Sequence, residues 1–226
     1  MRDLESTQLI VVVAGDWNKP SATMHLYERA SRFQKWNLVK GPMACLLGKQ
    51  GLAWGRGLHS LPDEVTVKKE GDMRSPSGIF PLKTAFGSKS QKEIGSLQID
   101  YLQTHSFLEY IDDPNSKYYN QCVDIRTQQK DWNSAEKMLR KDDDLYTLGL
   151  IVSYNEDPVI AGEGSCIFMH TWRNQDSGSA GCTVLSMEEL ESLVLWLNKE
   201  RNPLLVQGTK DALKILERQF LCPTIR

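Results

Sequence analysis

The sequence predicts a mainly β protein with peripheral helices, in the α+β class. Short apolar runs such as residues 8–14 recur along most of the chain and are separated by polar turns. Apolar residues at helical spacing are concentrated after residue 186. The composition, 40% hydrophobic and 25% charged residues among 226, is that of an ordinary globular chain, which can form a core without disulfides or metal ions.

The N-terminal part is predicted to contain strands followed by a long loop. The β-branched run from residue 8 stops at Gly15-Asp16, which indicates a buried strand and a turn. Residues 48–78 contain six Gly and two Pro. They predict a long loop near the functional site, because long loops in compact domains usually serve function. Strands are expected at residues 8–14, 23–30, 33–39 and 43–47.

The remaining elements follow from local patterns. Ser186 and Glu189 form a capping box, so a helix is expected to begin there and run to Asn198. Thr209 is expected to cap a last helix that runs through Phe220. A short helix capped by Asn133 or Ser134 is also predicted over residues 132–140. Further strands are expected at residues 97–102, 107–111, 145–154, 165–172 and 203–206.

Charge and motif content exclude several function classes. The formal net charge is −2 and the charges are scattered, so no basic surface for nucleic acid is expected. No apolar run is long enough to cross a bilayer, and residues 9–14 are too short for a signal-peptide core. We therefore expect either an export signal that has been removed or a cytoplasmic protein. No P-loop, dinucleotide fingerprint or zinc-ligand spacing occurs, so no cofactor and no metal are expected. We also expect a monomer.

The five cysteines leave two alternatives open. None of them forms a CxxC pair. They are compatible with buried free thiols, and equally with two disulfides and one remaining thiol. The cysteines stand at positions 45, 122, 166, 182 and 222.

One cysteine and one histidine form a candidate catalytic pair. An apolar strand is expected to end at His170, and a polar loop leads back to Cys182 within twelve residues. A return of that length can bring the thiol to the imidazole, and an imidazolium would favour the thiolate. The histidine can then return a proton to a leaving amine. Gly181 would let backbone N–H groups approach a reacting carbonyl. The alternative is a core histidine beside a buried, unreactive cysteine.

Two motifs favour the catalytic interpretation. Residues 179–182 read Ser-Ala-Gly-Cys and follow His170, and residues 71–80 read Gly-Asp-Met-Arg-Ser-Pro-Ser-Gly-Ile-Phe. The first resembles the His-spacer-Ser/Thr-His-Gly-Cys motif of L,D-transpeptidase (YkuD) catalytic domains. The second resembles the upstream Gly-Asp-x-Arg-x-Pro-x-Gly-x-Phe segment of that family at each of its fixed positions. The resemblance covers roughly residues 65–207.

The resemblance implies a fold and a reaction. The fold would be a sandwich of two mixed β-sheets with the Cys-His pair in a cleft. Cys182 would attack a peptidoglycan stem peptide between its third residue, usually diaminopimelate, and D-Ala, and a thioester would form. An amine of a second stem or of a protein would then take the acyl group, whereas water would make the enzyme a carboxypeptidase or endopeptidase. The resemblance thus implies action in the periplasm or cell envelope, on donor and acceptor stem peptides.

The chain also departs from the family motif. Ala180 replaces the histidine before Gly-Cys, Val184 stands where the family usually has Asn or Arg, and the spacer after His170 is shorter than usual. This resembles a divergent branch in which His-x-Trp-Arg precedes x-Gly-Cys-Thr. These differences concern the acceptor and the type of cross-link, and they leave the Cys-His pair intact.

The other candidate residues follow from the motifs. The family often orients the histidine through the backbone carbonyl after it, which here belongs to Thr171; the alternative is an ordinary strand residue. Arg173 is a candidate for binding a stem carboxylate, or else an exposed loop residue. Trp172 and Tyr154 would line the cleft, or Trp172 packs in the core. Asp72 and Arg74 are expected to form an ion pair, and Gly78 to permit a turn. Ser179, Ala180 and Gly181 form the loop before the nucleophile.

The expected domain organisation is one catalytic domain with additions at both ends. Residues 1–47 would form an N-terminal β elaboration, residues 48–208 the catalytic domain and residues 209–226 a C-terminal helix. A non-catalytic wall-binding domain of the same fold is the competing function. The presence of both Cys182 and His170 argues against it.

Overall fold

The computed structural model describes residues 5–220, in which strands predominate over helices, so the predicted fold class is confirmed. The three helices among these residues are α1 (Gln91–Ile94), α2 (Met187–Trp196) and α3 (Lys210–Gln219). The strands are β1 (Gln8–Ala14), β2 (Ser21–Glu28), β3 (Asn37–Leu46), β4 (Leu52–Trp54), β5 (Ser75–Gly87), β6 (Asp100–Gln103), β7 (Leu108–Ile111), β8 (Cys122–Asp124), β9 (Ala135–Lys137), β10 (Leu148–Val152), β11 (Phe168–Thr171), β12 (Thr183–Leu185) and β13 (Leu204–Thr209).

Eight strands form a ring. Their order is β10-β11-β12-β3-β2-β1-β13-β5, and β5 also pairs with β10, so the sheet closes on itself. Pairing is parallel for β1 with β13 and for β11 with β12, and antiparallel elsewhere in the ring. The sheet is mixed, as the resemblance implied, and its closure gives the sandwich the connectivity of a barrel.

Strand β1 is buried on both faces, which explains its unbroken apolar sequence. Ile10 and Val12 belong to the main core, together with inward-facing residues of the other ring strands. Leu9 and Val11 point the other way and pack under helix α3. A strand covered on both sides has no polar face, so alternation disappears from its sequence.

The two longer helices begin where the sequence predicts. The Ser186 side chain accepts a hydrogen bond from the Glu189 amide at the start of α2, and the Thr209 side chain accepts one from the Ala212 amide at the start of α3. Leu190 and Leu193 of α2 join the main core. The amphipathic pattern thus positions both helices against the ring.

A second, small sheet lies outside the ring. It has the order β8-β7-β9 and shares a hydrophobic cluster with β11 and β12. In that cluster Tyr110 of the small sheet packs its ring against Phe168, with centroids 5.1 Å apart. The outer face of β11 and β12 is therefore partly covered, and a cleft remains beside the covered part.

The helix predicted over residues 132–140 is wrong. This segment contains strand β9, which pairs with β7. Trp132, Ala135 and Leu139 stand at positions i, i+3 and i+7, a spacing typical of one face of a helix. The backbone of this segment bonds elsewhere, since the Asn133 amide donates to the Asp113 carboxylate (2.8 Å). Tertiary pairing has overridden local spacing.

Other boundaries also move. The strand predicted over residues 33–39 begins at Asn37 and continues through the predicted piece 43–47 to Leu46, because Phe33 lies at an exposed hairpin end. The long loop 48–78 contains β4, and β5 begins at Ser75. Strands β1 to β3 belong to the same ring as the strands that carry the candidate pair.

Two further observations concern cysteines and membranes. Cys45, Cys122, Cys166 and Cys182 are free thiols, and Cys222 lies outside the described residues. Among residues 5–220, no helix has the length and apolar character needed to span a bilayer.

Candidate active site

Parallel strands β11 and β12 bring the predicted pair to one face. His170 lies opposite Val184 in their register. Side chains alternate along a strand, so Cys182, two residues before Val184, points to the same side as His170. Two residues correspond to roughly 6.6 Å along a strand, an offset that a histidine side chain can span. Both residues line one cleft on the outer face of the ring.

The Cys182 sulfur is nearly buried and has two hydrogen bonds within the described part of the chain. It accepts one from the Phe168 amide (3.3 Å), and its thiol donates to the Cys166 carbonyl (3.5 Å). Burial raises the pKa of the thiol to about 12, although the Phe168 amide and the Lys68 charge act to lower it. At neutral pH the sulfur is therefore protonated, and its proton points to a carbonyl rather than to His170.

The His170 ring is oriented by its neighbour. Nδ1 lies 2.9 Å from the Thr171 carbonyl oxygen. A carbonyl only accepts, so Nδ1 carries the proton and Nε2 keeps its lone pair. Burial lowers the pKa of the ring to about 4, and the bond to Thr171 only partly opposes this. The Tyr146 ring stands edge-on to the imidazole, with centroids 5.1 Å apart.

These two environments correct one expectation. The sequence suggested that an imidazolium would hold Cys182 as a thiolate. Burial instead keeps His170 neutral and Cys182 protonated, because each would carry an unsolvated charge. The resting pair is thiol and imidazole, with Nε2 available as a base. Thr171 lies where the resemblance implies, with its carbonyl on the ring.

Two serines fix the chain at Cys182. The Ser179 and Ser75 hydroxyls donate to the Cys182 carbonyl at 2.5 and 3.0 Å. Ser75 also accepts a hydrogen bond from the Gly48 amide (2.8 Å), which ties the upstream motif to the nucleophile loop. The Gly181 amide donates to Ser179 Oγ (3.0 Å), so at rest it is not free for a substrate oxygen. Ala180 is exposed at the cleft.

The cleft is open, charged and large enough for a peptide. Its volume is about 470 Å³. Glu136 of β9 and Asp112, which directly follows β7, line the cleft, and the long loop contributes Lys68 and Glu70. Burial raises the pKa of Glu136, and the charge of Arg140 partly opposes this. Both signs of charge face the space next to Cys182, which suits a zwitterionic peptide.

Two predicted substrate-binding residues reach the cleft. Trp172 and Arg173 both line it. The Arg173 side chain is 61% exposed and pairs with Asp143 at 3.2 Å. Asp143 also binds Arg140 (2.8 Å), so its carboxylate is shared between two arginines. The Arg173 guanidinium at the rim has five N–H donors, more than its bond to Asp143 uses.

The other four predicted substrate-binding residues lie elsewhere. Tyr154 is 1% exposed and packs on Phe80 in the core. Arg74 donates to the Trp17 and Leu52 carbonyls (3.1 and 2.8 Å) instead of forming the expected ion pair with Asp72. The partners of Asp72 are Lys68, Lys69 and Arg74, the last two through their backbone amides, and the Lys68 bond measures 2.7 Å.

Gly78 lies within β5 and makes no turn. Its φ is +152°, and a methyl group on its α-carbon would lie 2.0 Å from the His59 ring. The motif glycine is therefore required because His59 packs against the strand. His59 itself is buried between Trp54 and Phe80, and its Nδ1 accepts the Ile79 amide (3.2 Å).

Sequence reasoning missed Ser75, Lys68 and Tyr146. Ser75 is a variable position inside the recognised motif, and Lys68 lies three residues before the motif begins at Gly71. Only their hydrogen bonds and burial distinguish them from ordinary loop residues. Tyr146 is the second residue of the apolar run 145–154 that was predicted as a strand, so its pattern indicated packing alone.

Of three comparisons with known proteins, one gives a match. The family model of the L,D-transpeptidase catalytic domain, YkuD, matches residues 14–210. The match is wider than the motifs and includes β2 and β3. No curated protein and no solved structure gives a match. Because the family model spans most of the chain, the protein belongs to the family of L,D-transpeptidase catalytic domains.

Proposed function

We propose that the protein is a cysteine L,D-transpeptidase that acts on peptidoglycan stem peptides through a thioester on Cys182. One observation carries the proposal. A cysteine and a histidine whose Nε2 is unprotonated share one face of a sheet in an open cleft of about 470 Å³. Membership of the family supports the substrate class. The site of action would then be the periplasm or cell envelope.

The first half-reaction begins with a neutral pair. Substrate binding would turn the Cys182 thiol from the Cys166 carbonyl toward His170. As the sulfur adds to the carbonyl carbon between diaminopimelate and D-Ala, its proton passes to His170 Nε2. We assign the Cys182 amide as the donor to the carbonyl oxygen that gains charge. The imidazolium then gives its proton to the D-Ala nitrogen, the C–N bond breaks, and a thioester remains.

The second half-reaction reverses these roles. An acceptor amine attacks the thioester carbonyl and gives a proton to His170. The new amide forms, the C–S bond breaks, and the imidazolium returns its proton to the sulfur. With water as the acceptor the product is a free acid, and the enzyme is a carboxypeptidase or endopeptidase. This hydrolase is the second candidate function.

The remaining roles follow from position. Arg173 is proposed to bind a carboxylate of a stem peptide at the rim, and Trp172 to form part of the wall. Thr171 orients His170 through its carbonyl, while Ser179 and Gly181 hold the loop that presents the sulfur. Asp72, Arg74, Gly78 and Tyr154 are proposed to act on the site only through the loops and strands that they hold.

Acylation by a carbapenem tests the proposal. Intact mass spectrometry should detect one added carbapenem per chain in the unmodified protein and none in Cys182→Ala. Cys166→Ala is the matched control, because Cys166 also lines the cleft and should leave acylation intact. Acylation that persists in Cys182→Ala would contradict the assignment of the nucleophile. A folded protein that never gains mass would favour the non-catalytic wall-binding alternative.

The acceptor is tested with muropeptides. Incubation of tetrapeptide stems with and without an added amine, followed by mass spectrometry, distinguishes the two candidate functions. A transpeptidase yields cross-linked or amine-capped products when the acceptor is present. Tripeptide alone, at the same rate with and without the amine, would identify the hydrolase instead.

A further inference from the structure

Lys68 is a lysine buried at the active-site cleft. Its side chain is 3% exposed, and it lines the same cleft as Cys182. Burying an ammonium group is costly unless a partner compensates its lost hydration. The fold nevertheless keeps this ammonium in the cleft that contains the candidate nucleophile.

Two glycines leave room for the lysine. A methyl group on the α-carbon of Gly164 would lie 2.9 Å from Lys68 Cε, and one on Gly181 would lie 3.5 Å from Lys68 Nζ. Gly181 directly precedes Cys182. The ammonium is therefore held beside the peptide that presents the nucleophile, and a side chain at Gly164 would displace it.

Asp72 fixes the ammonium in this place. The carboxylate accepts a hydrogen bond from Lys68 Nζ (2.7 Å), and the Lys69 carbonyl accepts a longer one (3.4 Å). Asp72 is itself held, because it accepts the Lys69 and Arg74 amides at 2.8 and 2.9 Å. Asp72 of the Gly-Asp motif thus clamps the charge of Lys68 in place.

We infer that Lys68 is a positioning residue for the nucleophile: its ammonium, clamped by Asp72 and admitted by Gly164 and Gly181, stabilises the negative charge that Cys182 acquires during attack. A cation within a few ångströms favours the charged form of a thiol, and poor hydration strengthens the effect. The Glu136 charge raises the pKa of the Cys182 thiol, and the Lys68 charge opposes this effect. The inference rests on the proposed function only in taking Cys182 as the nucleophile.

Alkylation of Cys182 by iodoacetamide tests the inference without any wall substrate. Rates are measured from pH 6.5 to 9.5, and peptide mapping separates Cys182 from the other cysteines. Lys68→Met should raise the pKa of the Cys182 thiol, so less thiolate is present at each pH. Because the remaining thiolate is somewhat more nucleophilic, alkylation should slow by only about three- to tenfold. Lys68→Arg should recover part of the rate. Lys69→Met is the matched control, since it removes an exposed charge from the next residue and should change nothing.

A double variant separates charge from folding. Lys68→Met removes the only side-chain cation bonded to Asp72 among the described residues and leaves a carboxylate that can disturb the loop. The double variant Lys68→Met/Asp72→Asn removes both charges. Continued slow alkylation in this double variant, with an unchanged circular dichroism spectrum, would support the inference. Wild-type rates in either Lys68→Met protein would overturn it. Carbapenem acylation of the same samples tests the proposed function separately, since alkylation requires only a reactive sulfur.

Discussion

The chemistry of individual residues here is governed by burial. His170 and Cys182 both lie under enough protein to oppose charge, which lowers the pKa of the imidazole and raises that of the thiol. A neutral pair avoids the cost of an unsolvated ion pair at rest. Charge is created only when a substrate carbonyl is available to receive it, so the sulfur is protected from unwanted reaction in the free enzyme.

This neutral pair predicts an unusual dependence of rate on pH. The rate of carbapenem acylation should stay nearly constant from about pH 5.5 to 8.5. It should fall at lower pH as His170 becomes protonated with a pKa of about 4, because the imidazolium cannot accept the thiol proton. Stopped-flow absorbance of ring opening gives the rate, and fluorescence verifies folding at each pH. A rate that already declines below pH 7, or falls between pH 7 and 8.5, would indicate a resting ion pair instead.

The reactive residues were predictable from sequence, but their electrostatics were not. Cys182, His170 and the Thr171 carbonyl belong to one short segment with a recognisable motif. Ser75 and Lys68 come from a segment far away in the chain, and they meet the nucleophile only after β5 has joined the ring. Burial is a property of the folded chain, so spacing alone suggested a thiolate where the structure holds a thiol.

At the scale of elements, the upstream motif connects several parts of the fold. Residues 71–80 include the clamp on Lys68, the Ser75 bridge to Cys182 and the glycine that admits His59. Asp72, Ser75 and Gly78 each contact a neighbouring element, whereas Gly71 lines the cleft. A motif found by sequence alone thus identified the family correctly.

Gly78→Ala tests this interpretation. The added methyl group would meet the His59 ring, so we expect a loss of unfolding free energy greater than about 2 kcal/mol. Gly15→Ala is the control, because nothing lies within 4 Å of the added methyl, and its effect should stay within about 0.5 kcal/mol. Urea unfolding followed by circular dichroism measures both.

His59→Ala in the Gly78→Ala background should restore part of the lost stability by removing the obstructing ring. A Gly78→Ala protein as stable as Gly15→Ala would show that the strand adapts, and the steric explanation would then be wrong. Alkylation of Cys182 in the folded fraction should be unchanged, since Gly78 contacts no residue of the pair.

The predictions of helices and strands were correct where the local sequence pattern and the tertiary contacts favour the same structure. Helices α2 and α3 have caps and amphipathic faces, and β1 has an unbroken apolar run, so all three were found. Segment 132–140 has apolar residues at helical spacing, but its amides are bound by Asp113 and by β7. No local signal reports such distant partners, and the helix prediction failed for that reason.

At the scale of the whole molecule, the ring and its coverings bury two neutral histidines. Burial lowers the pKa of both His170 and His59 to about 4, against an ordinary value near 6.5. Between these values the unfolded chain binds more protons than the folded one. Stability is therefore complete above about pH 6.5 and declines as the pH falls toward 4.

This linkage predicts acid sensitivity. As the pH falls from 6.5 to 4, each histidine should lower the free energy of unfolding by about 3 kcal/mol. Urea unfolding at several pH values should show the loss, and His59→Phe should have a clearly shallower slope. Gly15→Ala is the control, because it removes no titratable group and should leave the slope as it is. Equal slopes in the His59→Phe protein and the parent would refute the contribution of His59.

The predicted monomer remains a prediction at this scale. The expected mass in solution is that of one chain, 25.7 kDa, and light scattering coupled to size exclusion measures it directly. The domain boundaries near residues 47 and 208 also stay predictions, although the ring unites strands from both sides of residue 47 and β13 extends to Thr209.

The pairing of β1 with β13 has a consequence for biosynthesis. These parallel neighbours lie near opposite ends of the chain, so β1 must wait for residue 209 before its second edge is filled. The ribosome must therefore make residues 15–203 between the two strands. Throughout that stretch the nascent chain carries an unpaired edge on an apolar strand, which exposes it to aggregation unless a chaperone covers it.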